Sequence, residues 1–354
     1  MQRIGKVMFL PSLSREEMSL KRNVDEQSIE EEEEEDEESL EDTPLLNLPE
    51  SIQNRLMDHQ RIGVKWLHSL FLSGSGGILG DDMGLGKTFQ VISLLAGLMA
   101  EESIKRVLVI APVSVLPTWQ RELSEHLAPH FSKADILLVN SDLTKKKRQM
   151  LLDNAFQTSM RYSPKVVISS YQLVSIMIDD FAGRGKWDYV ILDEGHTIKN
   201  PSTKTYKAMQ ELSSRHRLIM TGTPIQNNLN EFWAIANWAT KGKRFGTLSA
   251  FKQDFTLPIT AGQNPKATIE ERQIAEVATR NLLRLTKPIL LQRKKCEIPN
   301  NKTMQLPTKV ELVVWSPLAT SQRVLYEEFL HSRQFDMAVH RSTCPVEVIK
   351  YEEA

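Results

Sequence analysis

The chain has 354 residues, of which 41% are hydrophobic and 25% charged, and its formal net charge is −1. This composition predicts a soluble globular protein. No apolar run reaches the roughly 18 residues of a membrane span, and the polar N-terminus, broken at Pro11, does not resemble a secretory signal. Cys296 and Cys344 are isolated, which fits a reducing intracellular compartment and gives no zinc-binding pattern.

The charge is distributed unevenly along the chain. Residues 1–42 carry 5 Lys and Arg against 15 Asp and Glu, whereas the remainder carries 39 against 30. Glu30 to Glu38 is an unbroken acidic run, so residues 1–45 are predicted to form a disordered acidic tail. The tail could bind basic proteins such as histones or occupy a basic surface of the same chain, although a merely solvated tail is favoured. The basic remainder fits either a polyanionic partner or an ordinary solvated surface.

The first predicted helix covers residues 51–72, with apolar residues spaced to face a core. Gln60 lies on this helix, and its amide could pair with the donors and acceptors of adenine. Taken alone, a glutamine at this position is more often a surface residue.

The sequence GGILGDDMGLGKT, residues 76–88, predicts a buried strand, a glycine turn and the start of a helix. Such a turn cradles phosphate oxygens with backbone N–H groups, above the positive end of the helix dipole. Lys87 would then reach the β- and γ-phosphates of a nucleotide, and the Thr88 hydroxyl could bind Mg²⁺. Asp81 stands where the usual G-x-x-x-x-G-K-[ST] pattern has its first glycine. The predicted cofactor-binding residues of the loop are Asp81, Asp82, Met83, Gly84, Leu85, Gly86, Lys87 and Thr88.

Strands and helices are predicted to alternate after this loop. The strand-like runs are residues 107–111, 136–140, 166–170, 189–193 and 218–221, and the helical patterns are residues 116–127, 145–156, 172–181, 203–212 and 229–240. Apolar strands alternating with helices predict an α/β fold, with a parallel sheet covered by helices on both faces. Ligands of such sheets bind at the carboxyl ends of the strands.

Two carboxylates follow the strand at 189–193. Asp193 leaves the aliphatic strand in position to hold Mg²⁺, and Glu194 next to it could polarise the water that attacks the γ-phosphate. Either residue alone would more often belong to an ordinary polar turn. Together with the glycine loop upstream, they predict a nucleotide-hydrolysing site.

Polar turns follow three further strands. Thr221, Gly222 and Thr223 lie where they could sense the γ-phosphate and couple it to motion. Pro112, Ser114 and Trp119 in one loop, and Ser170 in another, are placed to contact DNA phosphates. Each of these turns alone is more often a turn without a ligand.

In this order, the motifs resemble those of Swi/Snf-type ATPases of helicase superfamily two, which translocate on double-stranded DNA. The resemblance is carried by LMDHQRIGVKWL (56–67), GGILGDDMGLGKT (76–88), VLVIAPVSVLPTWQREL (107–123), ISSYQLV (168–174), DYVILDEGHTIKNPSTK (188–204) and RLIMTGTPIQNNLNEFWAI (217–235). The family shows the same aspartate in the phosphate loop. The DEGH form is similar to the repair branch that contains the Cockayne syndrome B, excision-repair-like and Rad-type proteins.

The resemblance implies a RecA-like first lobe that uses ATP and Mg²⁺. By this resemblance Lys87 and Thr88 bind phosphate and Mg²⁺, Asp193 holds Mg²⁺, Glu194 orients water and Gln60 reads adenine. The implied coupling residues are His196, Thr221, Gly222 and Thr223. The implied partner is double-stranded DNA, with nucleosomes or repair proteins as possible substrates, and the implied location is the nucleus.

The resemblance also gives the domain organisation, namely an acidic tail at 1–45, lobe one at 46–240, a helical protrusion and basic linker at 241–305, and the start of a second lobe at 306–354. The basic run at 292–295 is predicted to function between the lobes. The second-lobe motifs that complete the family's ATP site, including its arginine finger, are not found in these 354 residues, so hydrolysis by the chain alone is expected to be weak. A non-catalytic ATP- or DNA-binding module is one alternative, and an RNA helicase is another. The DEGH and TGTP sequences disfavour the RNA helicase.

Overall fold

The computed structural model describes residues 46–127, 135–157, 164–222, 228–298 and 316–335. The predicted acidic tail, residues 1–45, lies outside the described residues. The chain divides into two units, Met1–Pro299 and Asn300–Ala354, which are described separately.

The first unit contains a sheet of seven strands, all parallel. In chain order they are β1 (Gly77–Leu79), β2 (Arg106–Ala111), β3 (Ile136–Val139), β4 (Lys165–Ser170), β5 (Trp187–Asp193), β6 (Ser214–Met220) and β7 (Leu290–Leu291). Their order across the sheet is β3-β4-β2-β5-β6-β1-β7. The five strands predicted after the glycine loop correspond to β2 to β6, and β7 was not predicted.

Helices connect these strands and follow them. The helices of the first unit are α1 (Glu50–Gln53), α2 (Asp58–Leu72), α3 (Lys87–Ala100), α4 (Leu116–His126), α5 (Lys145–Phe156), α6 (Tyr171–Ile176), α7 (Ile178–Ala182), α8 (Lys204–Glu211), α9 (Leu229–Ala239), α10 (Leu248–Phe251), α11 (Leu257–Gly262) and α12 (Ile269–Thr286). The single helix predicted at 51–72 is therefore two helices. The longer one begins at Asp58, where the Gln60 side chain accepts a hydrogen bond from the Met57 backbone N–H at 3.1 Å.

Successive residues of each strand point to opposite faces of the sheet, and each face carries its own apolar core. Helices α2, α3 and α4 cover the face that includes Leu79, Val109 and Ile191. Helices α5 to α9 cover the face that includes Ile110 and Leu192. This arrangement confirms the predicted α/β fold with helices on both faces.

Four helices, α9 to α12, lie between the last long strand, β6, and the return of the chain to the sheet. A Cβ on Gly262 of α11 would collide with Ala275 of α12, so the absence of a side chain at Gly262 permits the close approach of these two helices. After α12 the chain forms β7, which pairs with β1 through Ile78 and Leu79. Part of the segment predicted as a basic linker therefore belongs to the sheet.

The second unit is described over residues 316–335. It contains the helix α13 (Thr320–Leu330), whose first turn is closed by a hydrogen bond from the Ala319 N–H to the Gln322 side chain at 3.1 Å. None of its residues is buried within the described part of the chain. Among the described helices of both units, none is long and apolar enough to cross a membrane.

His216 on β6 makes stability depend on pH. Its ring stacks with Phe71 and Tyr189, at centroid distances of 4.3 and 5.6 Å. The pKa of His216 is lowered from 6.5 to about 4, mainly by burial and also by the charges of Lys241, Arg215 and Lys186, against the opposing effect of Asp188. The unfolded chain therefore binds a proton more readily than the folded chain between these pH values.

We expect the free energy of unfolding to fall as the pH drops from 6.5 towards 4, by about 1 kcal/mol from this residue after allowing for its partial exposure. The check is urea unfolding at several pH values, for the parent chain and for His216→Phe. The substitution should remove this part of the acid destabilisation. An unchanged pH profile in His216→Phe would show that other groups cause it.

Candidate nucleotide-binding site

Three neighbouring strands bring the predicted site residues together. Leu79 at the end of β1 pairs with Met220 of β6, and Met220 also pairs with Asp193 at the end of β5. The loops that follow these strands therefore leave the same edge of the sheet side by side. This places the glycine loop, the two carboxylates and the turn at Thr221 in one region.

The glycine loop has the conformation that its sequence predicts. Gly84 and Gly86 have φ values of +87° and +76°, which side-chain-bearing residues rarely adopt, and Gly86 caps the start of α3. The first N–H groups of a helix have no acceptor within the helix, so the loop presents donors and a positive dipole to an anion. The arrangement is that of an anion cradle at a helix N-terminus.

Lys87 lies over its own loop. Its Nζ donates to the Asp81 carbonyl oxygen at 2.6 Å and to the Asp82 carbonyl oxygen at 3.3 Å. Burial lowers the pKa of the Lys87 ammonium, and nearby carboxylates, including Glu194 and Asp193, oppose that shift. A phosphate bound in the loop would stabilise the charged ammonium by the same electrostatic effect.

Asp193 is held by three hydrogen bonds. Its carboxylate accepts from the Trp119 indole Nε1 at 2.7 Å and from the Glu194 backbone N–H at 2.9 Å, and its carbonyl oxygen accepts from the Tyr171 hydroxyl at 2.7 Å. Burial raises the pKa of Asp193, whereas the Trp119 hydrogen bond lowers it and the charge of Glu194 raises it. A divalent cation would favour the ionised carboxylate. Motif spacing did not reveal Tyr171 as a partner of Asp193.

Glu194 has a left-handed backbone, with φ of +49° and ψ of +50°. A non-glycine residue rarely adopts this conformation, and such strain often occurs at functional sites. Its Oε2 lies 3.3 Å from His196 Nδ1, although the pair is not aligned as a hydrogen bond. The predicted coupling residue His196 is therefore beside the predicted catalytic carboxylate.

The turn after β6 reaches the glycine loop. Thr221 is fully buried, and its backbone N–H donates to the Leu79 carbonyl oxygen at 3.1 Å. A Cβ on Gly222 would lie 3.3 Å from the Met83 side chain and 3.9 Å from Lys87 Nζ. Thr221 and Gly222 thus adjoin the phosphate loop. Thr223 lies outside the described residues.

Gln60 contacts the loop from α2. Its Nε2 donates to the Leu85 carbonyl oxygen at 3.2 Å, and His59 Nε2 lies 3.2 Å from the same oxygen. Gln60 is buried, with its amide oxygen bonded to the Met57 N–H. Adenine contact by Gln60 remains a prediction, and it would require these amide hydrogen bonds to rearrange.

The predicted DNA-contacting residues differ in exposure. Pro112 and Ser114 are accessible at the end of β2, and Ser170 is buried, where its hydroxyl accepts from the Leu173 N–H at the start of α6. Trp119 is only 1% exposed, so the prediction that its ring contacts DNA is not kept. The ring instead packs in the core, and its N–H orients Asp193.

The phosphate loop has a partner that the motifs did not identify. The carboxylate of Asp81 is 0% exposed and forms an ion pair with Arg293, which follows β7 and is 7% exposed. The aspartate in place of the usual glycine is therefore part of a buried charge pair. Arg293 is thus buried against the phosphate loop, and the predicted function of the basic run at 292–295 between the lobes stays a prediction.

The arrangement fits a magnesium–nucleotide complex better than a metal held by protein alone. The described residues include no group of three or more His, Cys, Asp or Glu side chains that could hold a metal. Mg²⁺ in phosphate-transfer sites is usually held by one or two protein oxygens together with substrate phosphates and water. The Thr88 hydroxyl at the start of α3 and the carboxylate of Asp193 supply that kind of donor.

Comparison with protein families identifies a domain that includes this candidate site. The family model of the SNF2-related domain matches residues 59–347. Protein CHROMATIN REMODELING 24 of Arabidopsis thaliana is 39% identical over 325 residues, which are 88% of this chain and 29% of that protein. DNA excision repair protein ERCC-6-like of Danio rerio is 32% identical over 85% of this chain and 22% of its own length. Human DNA excision repair protein ERCC-6 is 33% identical over 81% of this chain and 19% of its own length. The chain spans less than a third of the length of these relatives.

Among solved structures, this chain resembles SWI2/SNF2 ATPase cores. The structure titled Sulfolobus solfataricus SWI2/SNF2 ATPase core in complex with dsDNA is 28% identical, with a TM-score of 0.58, and the match covers 85% of this chain and 56% of that one. The ATPase core domain from the same organism, in a second structure, has a TM-score of 0.54 at 29% identity, covering 82% of this chain and 52% of that one. The fold is therefore that of a RecA-like SNF2 core.

Proposed function

This chain belongs to the SNF2-related family of helicase-like ATPases, and we propose that it is the ATP-binding motor lobe of an enzyme that translocates on double-stranded DNA. The observation that supports this most is that the phosphate loop after β1 and the carboxylates Asp193 and Glu194 after β5 leave the same edge of the sheet, where β1 and β5 both pair with β6. The relatives are chromatin-remodelling and DNA-repair proteins, so we propose a role in one of these processes in the nucleus, with nucleosomes or repair proteins as partners.

Each residue of the site has a proposed task. Lys87 and the N–H groups at the start of α3 bind and orient the nucleotide phosphates. Thr88 and Asp193 would hold Mg²⁺, which supplies charge neutralisation at those phosphates when bound. Glu194 accepts a hydrogen bond from the attacking water and orients it, and its strained backbone fixes where its carboxylate points.

We propose that DNA binding affects the nucleotide site through Asp193. Trp119 and Tyr171 bond to Asp193. Trp119 follows the loop after β2 that contains Pro112 and Ser114, and Tyr171 directly follows Ser170 at the end of β4. A shift of either loop on DNA would be transmitted to the Mg²⁺-binding carboxylate. We propose His196, Thr221, Gly222 and Thr223 as the corresponding contacts near the γ-phosphate.

Hydrolysis by these 354 residues alone is expected to be slow. In the family a second lobe supplies an arginine finger, and such a residue contributes on the order of 10³–10⁵ to turnover in related phosphate-transfer enzymes. ATP binding by this lobe and slow turnover are therefore compatible.

Binding to a short DNA duplex, followed by fluorescence anisotropy over a range of salt concentrations, tests the proposed DNA contact. The affinity should fall steeply with salt. A plot of the logarithm of the association constant against the logarithm of the salt concentration should have a slope of about −0.9 for each phosphate contacted, and the affinity should not depend on the DNA sequence. Ser114→Glu should weaken binding because it places a negative charge at the accessible loop after β2. The matched control is Ser103→Glu, since exposed Ser103 precedes β2 at the opposite edge of the sheet.

Three results would argue against this function. Preference for single-stranded RNA over the duplex would favour an RNA helicase. Equal loss of binding in both serine variants would remove the loop after β2 from the DNA surface. Duplex binding without any nucleotide binding would leave a non-catalytic DNA-binding module.

A further inference from the structure

The side chain of Arg293 makes four contacts in the core beneath the phosphate loop. Its Nε donates to Asp81 Oδ1 at 2.9 Å, and its Nη2 donates to Asp81 Oδ2. The same Nη2 donates to Gln90 Oε1 at 3.0 Å, and Nη1 donates to the His59 carbonyl oxygen. The guanidinium therefore joins the phosphate loop to α3, through Gln90, and to α2, through His59.

The backbone around Arg293 runs along the same loop. The Gly80 N–H donates to the Leu291 carbonyl oxygen at 2.7 Å, and the Asp82 N–H donates to the Arg293 carbonyl oxygen at 2.9 Å. The Lys295 N–H donates to the Asp82 carboxylate at 3.0 Å. Strand β7 and the residues after it thus hold both the entry to the phosphate loop and its first two side chains.

The surroundings leave the guanidinium little freedom. Gln90 Nε2 donates to Asp81 Oδ2 at 3.1 Å, which closes a ring of hydrogen bonds among Asp81, Gln90 and Arg293. A Cβ on Gly63 of α2 would overlap the Gln90 side chain and lie 2.9 Å from Arg293 Nη2. Because a bidentate arginine–carboxylate pair fixes both distance and direction, the position of Asp81 is set by Arg293.

We propose that Arg293 is a positioning residue for the nucleotide site, which fixes the phosphate loop through Asp81 and so makes nucleotide affinity depend on strand β7. This inference rests on the proposed nucleotide-binding function. The usual loop has glycine at the place of Asp81 and has no such link.

Three variants separate positioning from simple stabilisation. Arg293→Met leaves the buried Asp81 carboxylate unpaired, so it should lower both the melting temperature and the affinity for Mg–ADP. The double variant Asp81→Asn with Arg293→Met removes both charges, so most of the lost thermal stability should return. Its affinity should stay about 10-fold below that of the parent chain, as when an outer-shell partner is removed.

Arg293→Lys is the conservative variant. It keeps the positive charge but cannot make the two-pronged contact, so it should also weaken Mg–ADP binding and speed hydrogen exchange at residues 81–86. The matched control is Arg280→Met, because Arg280 lies on α12 with its side chain 64% exposed and pairs with Glu276 on the same helix. This control should leave affinity and exchange unchanged.

The deciding measurement is calorimetric titration of the full chain and its variants with Mg–ADP. It is made at a temperature where circular dichroism shows every variant folded, and it tests whether Arg293 positions the phosphate loop for nucleotide binding. Weakened binding in Arg293→Lys and in the double variant supports the positioning role. Parental affinity in both variants overturns it, whatever their stability. Failure of the parent chain itself to bind Mg–ADP overturns the proposed nucleotide-binding function and this inference with it.

Discussion

Replacing Lys87 with alanine should lower the affinity for Mg–ATP by about 100-fold, because the change removes charge-assisted hydrogen bonds to phosphate. The structure directs the Lys87 ammonium onto the loop carbonyls of Asp81 and Asp82, where a bound phosphate would replace them as its partner. Burial already lowers the pKa of Lys87, so its loss should cost the fold little. The affinity is measured by titration with a fluorescent nucleotide, and stability by thermal unfolding.

Lys207→Ala is the matched control for Lys87→Ala. Lys207 is exposed on α8, away from the strand ends that form the site, so the control should bind nucleotide as the parent does. Equal affinity in Lys87→Ala and the parent would mean that the glycine loop does not bind the nucleotide phosphates. Equal weakening in both variants would indicate a non-specific effect of charge.

Glu194→Gln should bind nucleotide within about threefold of the parent and hydrolyse it at least 100-fold more slowly, because the loss of a positioned general base typically costs 10² to 10⁴ in rate. Glutamine keeps the size of the side chain but loses its charge. Glutamine should adopt the left-handed backbone at position 194 about as readily as Glu194 does, so the substitution should leave the fold of the site unchanged. Single-turnover assays with the chain in excess, with duplex DNA present, resolve a slow rate.

The control for this second variant is Glu211→Gln, at the exposed end of α8. Its turnover should equal that of the parent chain. Parental turnover in Glu194→Gln would remove Glu194 from the reaction. A large loss of nucleotide affinity would instead assign it a binding role.

The core of the fold was predictable because its signals are local. Each of β2 to β6 contains a contiguous apolar run, and the predicted site loops lie at the ends of such runs. Parallel topology then places Asp193 at the same edge of the sheet as the phosphate loop, because the carboxyl ends of parallel strands share one edge. The phosphate loop itself is encoded by glycines at positions whose φ values are positive.

Contacts between distant residues could not be predicted in this way. Strand β7 has only two residues and pairs with β1 across more than two hundred positions, so neither β7 nor the Arg293–Asp81 pair leaves a local pattern. The basic run at 292–295 instead predicts a basic segment between the lobes. Charge patterns alone do not distinguish a solvated arginine from one paired in a core.

The error at Trp119 had a local signal. Leu116, Trp119 and Leu123 are spaced three and four residues apart on α4, and all three are buried. That spacing predicts one apolar helix face. The position of Trp119 after a strand end predicts DNA contact, whereas the helical period indicates the core.

Hydrogen exchange of the full chain with and without Mg–ATP is the most direct test of whether the strand ends form one nucleotide site. We predict slower exchange at residues 80–88, 193–196 and 221–222 together, with little change in α10 and α11. Lys87→Ala should abolish this protection at the same nucleotide concentration. Absence of protection in the parent chain, or protection confined to a region away from these three segments, would contradict the site described here.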